Sequence, residues 1–159
     1  MLLGSAAAPR WWDQDPRRLD QYLGFLAGAG ATSIELVLHH GPIDARGARV
    51  HVLANDWFTV ASKAQRHGLA CQFHASLDRR FELARWRNDR VELKAEYEPI
   101  LTAIERIADD QTVPAAFVVH ATSSNGASND TGSEDAKGFL SWTSELLARA
   151  NVVICAELR

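Results

Sequence analysis

Two kinds of segment alternate along this chain, and the alternation limits what it can fold into more than any other feature. Short apolar runs rich in β-branched and aromatic residues occur at 33–38 (SIELVL), 70–74 (ACQFH), 116–120 (AFVVH) and 152–157 (VVICAE), each of strand length. Between them lie segments with apolar residues at helical spacing. The first is expected to open at Asp15-Pro16, a capping residue followed by proline at the first helical position, with Leu19, Tyr22, Leu23 and Leu26 on one face and Gly28 and Gly30 at its end. The second runs from an Asn55 cap through Trp57, Val60, Ala61 and Ala64 to Gly68. The third, about 91–108, spaces Tyr97, Ile100, Leu101, Ile104 and Ile107 for burial and sets Lys94 and Glu98 one turn apart on its wet side. The fourth is expected to begin near Ser133 and to bury Phe139, Trp142, Leu146 and Leu147. Strand then helix, repeated, means parallel strands joined by right-handed crossovers, an α/β fold.

Length sets how much of such a fold is present. A closed barrel of eight strand–helix units needs about 250 residues, and this chain has 159. About four to five units fit, the first strand being represented by a tail at 2–5. The expected architecture is a partial parallel (β/α) barrel, one incomplete domain over 1–159, with an open doubly wound sheet, or pairing with another half, as the alternatives. Exposed strand edges would then open a route to self-association.

Charge and composition weigh against several partner classes. The formal net charge is −3, which gives the surface no general attraction for nucleic acid. No apolar run approaches the roughly 20 residues of a membrane helix, and the opening residues Met1–Ala8 lack the basic start and apolar length of an export signal. A cytoplasmic location is the expectation. Cys71 and Cys155 both fall in apolar strand-like runs and are expected to act as small buried hydrophobes. No glycine motif for a nucleotide phosphate follows a strand, and there is no G-x-S-x-G elbow of a serine hydrolase.

Side chains alternate between the two faces of a strand, so Glu35 and His39 share a face, as do Gln72 and His74, Val118 and His120, and Cys155 and Glu157. In each pair the second residue ends its strand or lies just beyond it. Parallel strands align at their carboxyl ends, where α/β folds bind ligands. His74, His120 and Glu157 are therefore expected in one mouth, as two imidazoles and a carboxylate suited to a divalent metal with open coordination positions. Each histidine taken alone also fits a hydrogen-bonded structural residue. Three such residues ending consecutive strands bring metal ligation level with that structural reading.

Other candidates surround that mouth. Glu35 fits either a buried structural acid or a group approaching the mouth, and His39 a substrate contact, whereas His40, His51 and His67 read as solvent-facing. The segment 78–90 (DRRFELARWRNDR) carries five arginines, of which Arg79 would face an oxyanion, against the plainer reading of a solvated helical stretch with ion pairs. Trp11-Trp12, just after the first strand, would lie near the mouth. The polar stretch 121–135 (ATSSNGASNDTGSED) reads as a long loop following a strand.

The segments GATSIELVLHHG, HGLACQFHASLDRRFELAR, FVVHA and VICAELR together resemble the amino-terminal half of the xylose isomerase-like TIM-barrel superfamily. That superfamily includes sugar-phosphate isomerases and epimerases and the endonuclease-four type of abasic-site nuclease. In the nuclease branch, histidines ending the third and fourth barrel strands and a glutamate ending the fifth hold metal. The resemblance implies metal roles for His74, His120 and Glu157. In the epimerase branch a glutamate on the fifth strand, similar in position to Glu157, is both ligand and proton-transferring group. The implied activity is a metal-dependent sugar or sugar-phosphate isomerase or epimerase using Mn, Co or Zn, with Glu157 catalytic, Glu35, His39 and Arg79 near substrate, and a carbohydrate or sugar phosphate as partner. A zinc phosphodiesterase and a non-catalytic half-barrel module are the alternatives. The sequence departs from the nuclease pattern in following His120 with Ala121-Thr122-Ser123 rather than Pro-Gly. The ligands expected from strands six to eight lie beyond Arg159.

Overall fold

The computed structural model describes residues 6–7, 16–37, 40–43, 49–51, 54–75, 83–120 and 129–157. Within them the chain forms β1 (Ala6–Ala7), α1 (Pro16–Gly28), β2 (Ser33–Val37), β3 (His40–Ile43), β4 (Arg49–His51), α2 (Ala54–Arg66), β5 (Ala70–His74), α3 (Arg90–Asp109), β6 (Ala115–His120), α4 (Asn129–Leu146) and β7 (Val152–Glu157). A short 3-10 turn, Leu83–Arg85, lies between β5 and α3.

Five strands make one sheet in the order β1-β2-β5-β6-β7, and every neighbouring pair is parallel. The order follows the chain and never reverses. Right-handed crossovers that always advance in one direction put all the helices on one side of the sheet, whereas a doubly wound sheet requires a reversal. The expected partial α/β barrel is what forms, and the doubly wound alternative is set aside by strand order.

Burial divides the sheet into two faces. Ile34, Cys71, Phe73, Ala115, Phe117 and Val119 point to the helix side and are inaccessible to solvent. There they meet Leu19 and Leu23 of α1, Val60 and Ala64 of α2, and Tyr97, Leu101 and Ile104 of α3. The alternate residues Glu35, Gln72, His74 and Val118 face the barrel interior and are half-buried. On β7 this interior set is Val153, Cys155 and Glu157, with Val153 52% exposed. Cys71 is thus the buried hydrophobe expected, and burial pushes its thiol pKa up to about 12. Cys155 is exposed, contrary to expectation, because its position in the strand alternation turns it to the open interior face.

The helices form where apolar spacing put them, with differences at their ends. Gly30 and Gly68 take the left-handed conformation (φ +87° and +75°) that terminates α1 and α2. The α2 helix starts at Ala54, one residue before the expected Asn55 cap. The α4 helix begins at Asn129, so the latter part of the expected loop 121–135 is helical. That polar run carries no apolar periodicity to reveal a helix. Leu146 is 43% exposed, contrary to expectation, whereas Leu147, just beyond the helix end, is buried as expected. The antiparallel hairpin β3–β4, pairing His40 with His51, was not expected. It occupies the carboxyl-end connection between β2 and α2. The expected first-strand tail at 2–5 lies outside the described residues, and the strand itself is Ala6–Ala7. Among the described residues, no helix is long and apolar enough to cross a membrane.

An aromatic cluster ties the segment after β5 to α3 and α4. Trp86 lies 5.8 Å from Phe139 and 5.7 Å from Trp142, ring centre to ring centre, and Tyr97 lies 4.7 Å from Phe139. Gly138 is required beneath it, since a Cβ there would overlap the Trp86 indole Nε1 and lie 2.7 Å from Cδ1. Lys94 is not simply on a wet face. Its Nζ stands 5.5 Å from the Trp86 ring and 5.0 Å from that of Trp142. A cation over indole faces gains more than an exposed pair one helical turn apart. The arginine segment does carry ion pairs, Arg85 with Asp89 at 2.9 Å and Arg87 with Asp135 at 3.6 Å, and among its described residues one 3-10 turn precedes the start of α3 at Arg90. His67 is half-buried and contacts Asp20 of α1 at 3.2 Å.

Candidate metal centre

Strand register brings the carboxyl-end side chains together. Val37 is level with His74, His74 with Val118, and His120 with Glu157. Because level residues on parallel neighbours share a face, His74, His120 and Glu157 all project into the interior at one rim. The two imidazole centres are 4.9 Å apart. Glu157 Oε2 lies 3.0 Å from His120 Nδ1 and 3.6 Å from His74 Nε2. One nitrogen from each histidine and one carboxylate oxygen fall within 4.8 Å of one another.

Those three residues fit a divalent ion. Bonds of about 2.1 Å place neighbouring donors ~3 to 3.5 Å apart in a coordination shell, so small side-chain rotations would close the set around one ion. His74 Nε2 is buried and, among the described residues, makes no hydrogen bond, as a nitrogen reserved for another acceptor of its lone pair would be. Two imidazoles and one carboxylate match the three-ligand pattern of catalytic zinc sites, which leaves a position open for water or substrate.

The other expected site residues fare differently. Glu35 is half-buried on the interior face, and its Oε1 lies 3.0 Å from His74 Nδ1 in a side-chain hydrogen bond. His39, Arg79 and Trp11-Trp12 lie outside the described residues. Gln72, noted only for sharing a face with His74, has its side-chain oxygen accepting from the Ala116 backbone N–H. Farther from the rim, the Gln111 amide accepts from Cys71 N–H and donates to Cys71 O at 3.3 Å. Sequence reasoning missed both glutamine bridges, and it did not pair Glu35 with His74. The alternation put both on the interior face, but the inter-strand offset that makes them diagonal neighbours is written only in the register.

No protein-family model matches the chain, nor does any curated protein sequence. Among solved structures, D-psicose 3-epimerase from Clostridium cellulolyticum H10, determined with D-tagatose, superposes with a TM-score of 0.63 at 14% identity over 98% of this chain and 52% of its own. The β-mannanase of the blue mussel Mytilus edulis superposes with a TM-score of 0.55 at 13% identity over 97% of this chain and 58% of its own. The chain spans just over half the length of these structures. At such low identity the likeness concerns the fold, and it agrees with the strand order: the chain has the fold of part of a TIM barrel.

Proposed function

We propose that this chain is the amino-terminal part of a metal-dependent sugar or sugar-phosphate isomerase or epimerase, one incomplete barrel domain whose remaining strands would supply further ligands. The observation that carries the reading is the convergence of His74, His120 and Glu157 within 4.8 Å at one rim. Their chemistry suits Mn, Co or Zn. A bound ion would supply positive charge beside a substrate oxygen that gains negative charge as a neighbouring carbon loses its proton. Glu157 is the residue to take that proton, since a carboxylate has two oxygens and one can serve the ion while the other acts as base. His74 and His120 would hold the ion together with Glu157. The epimerase likeness supports a carbohydrate ligand, and His39 and Arg79 are further candidates for substrate contact on sequence grounds.

Calorimetric titration of the chain with Zn, Co and Mn tests the site. One equivalent is expected to bind, and His120→Ala is expected to weaken binding by more than the about 10- to 100-fold seen for loss of an outer partner. In the full-length protein Glu157→Gln is expected to abolish ketose epimerisation. Absence of metal uptake by the chain, with Glu157→Gln fully active, would overturn the reading. A second reading, a zinc phosphodiesterase, draws on the nitrogen-rich donor set. Cleavage of an abasic-site duplex without ketose turnover would select it.

A further inference from the structure

We infer that Glu35 is a positioning residue: its carboxylate holds the His74 imidazole with the proton on Nδ1 and so presents Nε2 as the bare donor of the site. The inference rests on the reading of His74 as a ligand but is tested apart from it. An imidazole has two nitrogens, and in its neutral form only one carries a proton. A carboxylate accepts but does not donate, so the 3.0 Å contact of Glu35 Oε1 with His74 Nδ1 requires the proton to sit on Nδ1. The lone pair is then on Nε2, which is buried, has no hydrogen-bond partner among the described residues and points toward Glu157 Oε2 at 3.6 Å. A carboxylate behind a ligating histidine fixes the tautomer and ring orientation and makes the imidazole a better donor.

The register explains how Glu35 reaches it. Glu35 is level with Gln72 and His74 with Val37, so Glu35 sits one interior-facing position lower on the adjacent strand, a diagonal its longer side chain can span. Glu35 is about one-third exposed and His74 about one-fifth. This geometry places the acid, which the sequence left between a hydrogen-bonded structural role and an approach to the mouth, behind a ligand.

Nitrogen-15 spectra of the metal-free chain at about pH 8, above the ordinary imidazole range, report the tautomer directly. Wild type is expected to show His74 as the Nδ1–H form. Glu35→Leu, which removes the acceptor at similar size, is expected to move it to the Nε2–H form that free histidine favours and to lower zinc affinity by about 10- to 100-fold. Glu35→Gln keeps an acceptor oxygen without the charge, and is expected to retain Nδ1–H with a smaller loss of zinc affinity. It also serves should the leucine variant not fold. An Nε2–H tautomer in wild type, or a tautomer indifferent to both substitutions, would overturn the inference. A tautomer set by Glu35 in a chain that takes up no zinc would uphold the inference while removing the metal reading.

Discussion

The two faces of the same sheet are built to different rules. Toward the helices, Ile34, Phe73, Phe117 and Val119 are sealed and apolar; toward the interior, Glu35, Gln72, His74 and Glu157 are polar and partly open, and His74 is in contact with both Glu35 and Glu157. The strands carry both properties at once because their period is two residues. Folding free energy therefore concentrates on one parity and chemistry on the other, and a substitution's effect should depend on parity more than on size. The cysteines are a matched pair for this point, since Cys71 is buried among the helices while Cys155 faces the interior.

Substitutions can break or sharpen that contrast. The largest effect is expected from Phe117→Ala on the helix side, a loss of about 3 to 5 kcal/mol in urea unfolding followed by circular dichroism. Next, Gly138→Ala drives a methyl into the Trp86 indole and is expected to cost about 1 to 3 kcal/mol, with altered tryptophan emission. Val153→Ala on the interior face should cost under about 1 kcal/mol, because its side chain is half in solvent. A loss equal to that of Phe117→Ala would show that the interior is packed and end the two-face distinction. The smallest expected effect is read by a thiol reagent near neutral pH: Cys155 reacts in the folded chain and Cys71 only on unfolding. Burial holds the Cys71 thiol neutral, raising its pKa from an ordinary value of about 9 to about 12. Its contribution to stability is complete below about pH 9 and is lost as pH rises through about 12, because there the unfolded chain has released a proton that the folded chain keeps.

Much of this was legible in the residues. The runs ACQFH and VVICAE became strands over the same residues, and Leu23, Val60, Leu101 and Ile104 took their core places from helical spacing alone. The ends His74, His120 and Glu157 fell on one rim because parallel strands align there. What stayed hidden depends on contacts distant in sequence. Lys94 is drawn to two indoles contributed by other segments, and the Glu35 to His74 contact depends on the β2 to β5 offset. The start of α4 is composed of residues that a loop would also use, and the β3–β4 hairpin lies in a stretch whose alternation is too short to read.

The glutamine bridges at β5 have a mechanical consequence. Direct β5–β6 registration begins only at Phe73 with Phe117, and earlier in β5 the Gln111 amide stands in for a strand by serving both Cys71 N–H and Cys71 O. Beside that splice lies a cavity of about 380 Å³ lined by Thr32, Gly68, Leu69 and Val113. The seam is thus held by strand pairing where His74 sits and by one side-chain amide at its other end, so the backbone polar groups of Cys71 depend on a residue outside the sheet.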